Sequence, residues 1–193
     1  MAKATIATTA AVVLLVVAAS SSLLPATLAT AGFVASTCKS SDNPQCVAVL
    51  GTDPRSVNAT TVQELASIAL DIATATARDS SSYLSTEADK HDRTDVGDAL
   101  SDCVGYYGGA IDALETARES FDGGDYSEAE KQTDAAEDAG DRCEQAFTDR
   151  HLNDQSTVSD VDKRMKDRTS VAGDLIDLLW GGRRSRGCRL SRA

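Results

Sequence analysis

The apolar positions of the chain recur at steps of three and four residues, the spacing that places them on one face of an α-helix. In the first such segment, which begins near Thr60, the apolar stripe runs out around Ser80. The stripe consists of Val62, Leu65, Ile68, Ala69, Ile72 and Ala73. Thr61 and Glu64 have the spacing of a capping box, which predicts the start of this helix. The charged segment 85–94 is expected to be an exposed connection.

A second helical segment begins near Asp95. Its predicted inner face contains Val96, Leu100, Cys103, Tyr107, Ile111, Leu114 and Phe121. The segment 121–125 ends this helix, because its two adjacent glycines break the helical pattern. Asp125 can then cap the next helix.

The third and fourth helical segments complete the pattern. The third covers about 126–147 and carries Cys143 on its inward side. The fourth is predicted to start near Ser159, with Asp162 as the second half of a weak cap, and to end at Trp180. Its apolar stripe contains Val161, Met165, Val171, Ala172, Leu175, Ile176, Leu178 and Leu179.

The fold class predicted from this pattern is all-α. No segment shows the sustained period-two alternation of a strand. Short connections make consecutive helices antiparallel neighbours, so an up-down-up-down four-helix bundle is expected. A short helical hairpin, 32–51, precedes the bundle and turns at Asn43 and Pro44. Asp53 followed by Pro54 predicts a cap with proline at the first helical position.

The first 31 residues have the features of a secretory signal peptide rather than of a folded segment. The stretch 6–19 is nearly uninterrupted apolar sequence, and no acidic residue occurs before Asp42. The small residues at 29–31 fit a cleavage site, so the mature chain is predicted to begin at Gly32. An uncleaved anchor is the alternative, although the apolar stretch is short for a span of about 20 residues. We therefore expect a secreted, soluble mature chain.

Cysteine usage fits an oxidising compartment. Four cysteines lie in the body of the chain: Cys38, Cys46, Cys103 and Cys143. Counting alone leaves three possible pairings. The predicted hairpin would bring Cys38 and Cys46 together, and an antiparallel helix pair places Cys103 level with Cys143. These geometries favour two disulfides, Cys38–Cys46 and Cys103–Cys143, while the fifth cysteine, Cys188, stands alone in the tail.

The charge is distributed unevenly along the chain. Residues 32–180 contain 13 Lys and Arg against 30 Asp and Glu. Such an acidic body is not expected to bind nucleic acid or anionic membrane, but a basic protein partner would attract it. Residues 181–193 carry five arginines and no acid, and we predict that they form a disordered basic tail. Acidic faces that serve only solubility are the simpler alternative.

Signatures of catalysis are absent from the sequence. The two histidines, His91 and His151, lie in polar connections without a partner at metal-ligand spacing. No phosphate-binding loop, dinucleotide fingerprint or nucleophile elbow occurs. We therefore predict no catalytic residue, no cofactor and no metal site, and a protein that is not an enzyme.

Two other kinds of site are candidates. Asn58, Ala59 and Thr60 form a glycosylation sequon in a predicted exposed loop. Acidic residues crowd one helix and could meet a basic partner, although a merely solvated face is the simpler interpretation. These residues are Asp134, Glu137, Asp138 and Asp141. Tyr106 joins them as a partner-binding candidate, because Tyr106 and Tyr107 cannot both face the core.

Several motifs together resemble the plant invertase and pectin methylesterase inhibitor family over residues 32–180. The first is Phe33-Val34 before Cys38, followed by the turn that leads into Cys46. The second is the block 100–107, LSDCVGYY, and the third runs from 124–126, GDY, to 143–147, CEQAF. The block 50–56, LGTDPRS, is most similar to the branch of predicted invertase inhibitors that includes the plane-tree pollen allergen.

Membership of this family implies a four-helix bundle, the same two disulfides and one-to-one binding to a target enzyme. Inhibitors of pectin methylesterase cover the enzyme's substrate cleft with helices of the bundle. Inhibitors of invertase use a helix–helix loop with the sequence Pro-Lys-Phe, which this chain lacks. The leading expectation is therefore a secreted, monomeric inhibitor of pectin methylesterase in the apoplast and cell wall.

Two alternatives remain open at this point. Inhibition of an acid invertase, in the cell wall or the vacuole, is supported by the resemblance of the block 50–56. A secreted helical protein that binds a partner or has a structural role without inhibiting an enzyme belongs to another class. Mixing the protein with either enzyme would distinguish these possibilities.

Overall fold

The computed structural model describes residues 24–152 and 156–181, and their side chains from residue 32 onward except that of Ser156. Two helices, α1 (Leu24–Ser41) and α2 (Cys46–Leu50), form an N-terminal hairpin. A 3-10 helix (Pro54–Asn58) follows and leads into the bundle. No strand occurs within the described residues. The predicted cleavage point lies inside α1.

Four long helices make up the bundle: α3 (Val62–Lys90), α4 (Asp95–Asp122), α5 (Tyr126–Asp149) and α6 (Ser156–Trp180). Each long helix packs against the next, and α6 packs back against α3. This closed arrangement leaves α3 and α5 at opposite corners. The predicted all-α four-helix bundle with an N-terminal hairpin is confirmed.

Local sequence signals set several helix starts where they were expected. The Thr61 hydroxyl accepts a hydrogen bond from the Glu64 amide, and the Glu64 carboxylate accepts one from the Thr61 amide, which completes the predicted capping box. The Asp125 carboxylate accepts from the Glu128 amide and caps α5. Asp53 caps the 3-10 helix in the same way. These caps satisfy amide groups that the first helical turn leaves without partners.

Two predicted boundaries were wrong. The connection expected at 85–94 is mostly helix, because α3 continues to Lys90. Ser80 and Leu84 are buried, so they carry the inner stripe past the serines that had suggested its end. The last helix already includes Ser156. Ser159 therefore lies inside α6 and is not its cap, and Asp162 points into the core.

The core is built largely from alanine and leucine. Tyr107 and Phe147 are its largest fully buried side chains. Two disulfides join buried cysteines, Cys38–Cys46 within the hairpin and Cys103–Cys143 between α4 and α5. The four cysteines are thus paired as the sequence geometry favoured.

The ends of the chain lie outside the described residues. Residues 1–23 of the predicted leader and 182–193 of the predicted tail, with Cys188, belong to these parts. The leader, its cleavage and the tail therefore stay predictions. Among the described helices, none combines the length and the apolar character needed to cross a membrane.

Candidate functional site

The four acidic candidates on α5 share one face of the helix. We call Asp134, Glu137, Asp138 and Asp141 the acidic quartet; they follow one another at helical steps of three, one and three residues. Glu137 is half-buried and the other three are exposed. The quartet lies on the side of α5 turned away from the buried Cys143, because positions 134 and 143 are half a turn apart in rotation. It therefore forms the outer face of α5.

Two members of the quartet, Asp134 and Asp141, lie near residues of α6. The Asp141 carboxylate lies 3.6 Å from the Lys166 ammonium of α6, and both side chains are exposed. An Asp134 carboxylate oxygen would lie 3.7 Å from a Cβ placed on Gly173 of α6. Exposed ion pairs of this kind contribute little to stability. The Asp141–Lys166 pair is therefore a surface contact that contributes little to the fold.

Tyr106 lies on the other seam of α5. It is half-buried and packs against the core, whereas its neighbour Tyr107 is fully buried. One turn before Tyr106, the Asp102 carboxylate accepts a hydrogen bond of 2.7 Å from the Arg150 guanidinium at the end of α5. Tyr106 thus belongs to the α4–α5 seam. The structure does not bring it into one cluster with the quartet.

Negative charge is concentrated on two of the four long helices. Together α4 and α5 contain 15 Asp and Glu against 3 Lys and Arg, whereas α3 and α6 contain 10 against 6. Because α4 and α5 are adjacent, their outer surfaces form one continuous acidic side of the bundle. We call this the α4–α5 face. Such a surface raises the local concentration of cationic partners and speeds their association.

A buried carboxyl behind this face was missed by the sequence analysis. Asp162 of α6 is only 4% exposed, and its Oδ1 accepts a hydrogen bond of 2.7 Å from the Tyr107 hydroxyl of α4. Its Oδ2 has no hydrogen-bond partner among the described residues. A signal was present, because position 162 falls on the same helical stripe as Val158 and Met165.

The environment of Asp162 favours its neutral form. Burial raises its pKa to about 7, the Tyr107 hydrogen bond opposes this rise, and the negative charges of Glu144 and Asp141 on α5 add to it. The pKa of the Tyr107 hydroxyl is raised as well, by burial and by the Asp162 charge. The pair is therefore a structural feature of the core whose stability depends on pH.

The Asn43 side chain joins the N-terminal hairpin to the last helix, against which both hairpin helices also pack. The Asn43 amide donates hydrogen bonds to the Asp174 carboxylate at 2.7 Å and to the Ser170 hydroxyl at 3.3 Å. Its carbonyl oxygen accepts from the Gln45 amide, which shapes the turn between α1 and α2. The Asn43 side chain thus links the disulfide-closed hairpin to α6.

The other candidate residues lie at the surface. Asn58, His91 and His151 are exposed, and His91 and His151 lie in the connections after α3 and α5. Within the described residues, no group of three or more His, Cys, Asp or Glu side chains is arranged to hold a metal ion.

Two shallow grooves lie against α3 rather than on the α4–α5 face. One, of about 330 Å³, is lined by residues that include Arg55, Asp71 and Arg168. The other, of about 340 Å³, lies beside Asn58 and Ile68.

The fold and this surface define a disulfide-linked helical bundle that presents an acidic helical face. The family model for plant invertase/pectin methylesterase inhibitors matches residues 32–175. The chain therefore belongs to the plant invertase/pectin methylesterase inhibitor family, as its motifs predicted. The branch suggested by the block 50–56 stays a prediction.

Similar proteins agree with this assignment. A pectinesterase inhibitor of Actinidia deliciosa is 26% identical over 160 residues, which cover 82% of this chain and 85% of that protein. A mutant form of a pectin methylesterase inhibitor from Arabidopsis matches with a TM-score of 0.63 and 25% identity, over 74% of this chain and 95% of that structure. A pectin methylesterase inhibitor from Arabidopsis thaliana matches with a TM-score of 0.57 and 26% identity, over 77% of this chain and 96% of that structure.

Proposed function

We propose that this protein is a secreted inhibitor of pectin methylesterase that binds the enzyme one-to-one and covers its substrate cleft. Family membership and the similarity to inhibitors of that enzyme support the proposal. The predicted leader supports an apoplastic or cell-wall location. The inhibitor acts as a monomer, and the α4–α5 face is its contact surface.

The observation that carries the proposal is the concentration of carboxylates on the α4–α5 face. Removal of methyl esters from pectin leaves a polymer of carboxylates, so an enzyme that holds this polymer needs cationic groups along its cleft. An acidic helical face complements such a cleft. It occupies the place of the polyanion and excludes the substrate.

Inhibition of an acid invertase is the second candidate function. The block 50–56 favours it through its resemblance to the predicted invertase inhibitors. Two observations favour pectin methylesterase instead. Sucrose is uncharged, so its hydrolysis does not require a cleft complementary to an acidic surface. The chain also lacks the Pro-Lys-Phe sequence of invertase inhibitors.

The decisive experiment is a paired titration at mildly acidic pH. The oxidised protein is added to a plant pectin methylesterase and, separately, to a cell-wall invertase. We expect loss of esterase activity at one equivalent and no loss of invertase activity. Loss of invertase activity alone would establish the second candidate, and no loss of either would indicate a non-inhibitory binding protein.

A matched pair of variants tests the contact surface. Combined Asp134→Asn, Asp138→Asn and Asp141→Asn substitutions remove three exposed charges from α5. Combined Asp79→Asn, Asp89→Asn and Asp92→Asn substitutions remove three exposed charges from α3 and the turn after it. We expect the first variant to associate with the esterase about tenfold more slowly at low salt, and the control to change much less. Equal effects would mean that net charge matters and the position of the charges does not.

A further inference from the structure

We propose that Asn58 carries an N-linked oligosaccharide, and that this glycan lies on the side of the bundle opposite α5. The sequon Asn58-Ala59-Thr60 is the chemical requirement for the modification. The inference rests on the proposed passage through the secretory pathway. It assigns a use to a motif that the inhibitor function leaves unexplained.

The Asn58 side chain is available for modification. It is exposed, and its amide makes no hydrogen bond to any described residue. Asn43 provides the contrast, because its amide is engaged by Asp174 and Ser170 and is followed by proline, which excludes a sequon. The two asparagines therefore differ in both sequence context and accessibility.

The backbone around the sequon is suited to an enzyme that must reach it. Asn58 ends the 3-10 helix, and Ala59 and Thr61 have extended backbone angles before α3 begins. The sequon thus lies at the end of a helix, and its Thr60 hydroxyl donates a hydrogen bond of 3.2 Å to the exposed Glu64 carboxylate. Thr60 is itself exposed.

The surface beside Asn58 suits a sugar. The groove of about 340 Å³ next to it is lined by the apolar side chains of Ala59 and Ile68 and by the polar groups of Arg55, Glu64 and Ser67. A pyranose has apolar faces and a rim of hydroxyl groups, so it can contact both kinds of side chain. The adjoining Val57 is 48% exposed, and a glycan would shield it from water.

The position of the groove separates the glycan from the proposed enzyme contact. The 3-10 helix packs against α3, and Glu64, Ser67 and Ile68 of the groove belong to α3. Since α3 and α5 occupy opposite corners of the bundle, a glycan at Asn58 points away from the acidic quartet. The modified protein therefore keeps the acidic quartet on α5 open, although the groove adjoins α4, where Arg118 donates hydrogen bonds to the Ser67 hydroxyl and carbonyl.

The test is expression of the full chain with its own leader in plant leaf cells. Mass spectrometry and an endoglycosidase digestion then report on Asn58. We expect one glycan, its loss in Asn58→Gln and in Thr60→Ala, and its retention in Thr60→Ser. An unmodified Asn58 in the wild-type chain, or a glycan that persists in Thr60→Ala, would overturn the proposal.

A second measurement tests the position of the glycan separately from the inhibitor function. Unglycosylated protein made in bacteria and refolded with its disulfides tests inhibition alone. If it inhibits pectin methylesterase, we expect the glycosylated protein to have the same inhibition constant within about twofold, as for distant and independent sites. A glycosylated form that inhibits much more weakly would show that the glycan lies near the contact surface.

Discussion

Carboxyl groups lie on both sides of α5, at the surface on the outer side and in the core on the inner side. On the outer side, three of the four quartet side chains are exposed, and the Asp141 carboxylate lies 3.6 Å from the exposed Lys166 ammonium. On the inner side, the Asp162 carboxyl of α6 is buried close to Gly140, with one oxygen bound to the Tyr107 hydroxyl. A carboxyl group can therefore affect the association with a partner on the outer side of α5 and the stability of the fold on the inner side.

This difference shows why a count of acidic residues does not describe an acidic protein. An exposed carboxylate keeps its hydration, and its removal changes folding stability very little. A buried carboxyl either keeps its proton or bears the cost of a charge without water. The contrast predicts that inner substitutions change stability and that outer ones change association.

The largest expected effect is a dependence of folding stability on pH through Asp162. Its pKa is raised from 3.8 to about 7 in the folded protein, so the folded state holds the proton over a pH range in which the unfolded state has lost it. Stability from this group is greatest below about pH 4, falls as pH rises, and levels off above about pH 7, a loss of about 4 kcal/mol in all. Denaturant unfolding between these pH values measures it.

Asp162→Asn provides the control for this prediction. The asparagine oxygen can still accept the Tyr107 hydrogen bond, but the side chain does not titrate. We expect the variant to lose most of the fall in stability between pH 4 and pH 7. An unchanged pH profile in the variant would assign the dependence to other groups.

The next largest effect concerns the two disulfides. Replacing both Cys103 and Cys143 by alanine opens a loop with a sequence separation of 40, and we expect a loss of about 4 kcal/mol from chain entropy. Replacing both Cys38 and Cys46 opens a separation of 8, and we expect a smaller loss of about 2.6 kcal/mol. Denaturant unfolding of the oxidised variants compares them, and the reverse order would contradict the loop-length explanation.

A pair of glycines extends the comparison to packing. A Cβ at Gly140, on the inner side of α5, would lie 3.1 Å from the Asp162 Cβ, so Gly140→Ala is expected to cost about 1–3 kcal/mol by forcing α5 and α6 apart. Gly105, on the solvent side of α4, has nothing within 4 Å of such a Cβ. Gly105→Ala should stabilise the protein by about 0.5–1 kcal/mol. Thermal unfolding of both variants measures these changes in stability. Stabilisation by both substitutions would mean that the contact between α5 and α6 can relax around the added methyl group.

The smallest effect on stability is expected at the acidic quartet. Neutralising all four residues to Asn or Gln should change the free energy of unfolding by no more than about 0.5 kcal/mol, because they are surface positions. The same variant should lose much of the salt dependence of its association with the target enzyme. A large change in unfolding would show that the outer side also supports the fold.

Helix starts were predictable from sequence because their causes are local. Thr61, Asp53 and Asp125 each cap a helix through amides two or three residues away. The end of α3 was not predictable in this way. Its last turns depend on Ser80 and Leu84 being buried by other helices, and a serine-rich segment gives no local sign of that burial.

The candidate site was predictable as a set of residues but not as an arrangement. The sequence placed the four acidic residues of the quartet close together on one helix. Whether Tyr106 shares a face with them depends on the rotation of α4 against α5, which the disulfide at Cys103 and the Asp102–Arg150 pair define only in the folded bundle. Asp162 was assigned to a cap because a start for α6 at Ser159 makes it the third residue of the helix. In the structure α6 already includes Ser156, so Asp162 lies within the helix, on the buried stripe with Val158 and Met165.

The bond between Asn43 and Asp174 also has a consequence for biosynthesis. These residues are 131 positions apart, so a growing chain makes the hairpin early and its anchor almost last. The short Cys38–Cys46 bridge can close as soon as both cysteines have left the ribosome, but the hairpin has no α6 to dock on until translation is nearly complete. The hairpin can pack on the 3-10 helix and on α3 before that point, but its hydrogen bond to Asp174 forms only on chains that have been translated almost to the end.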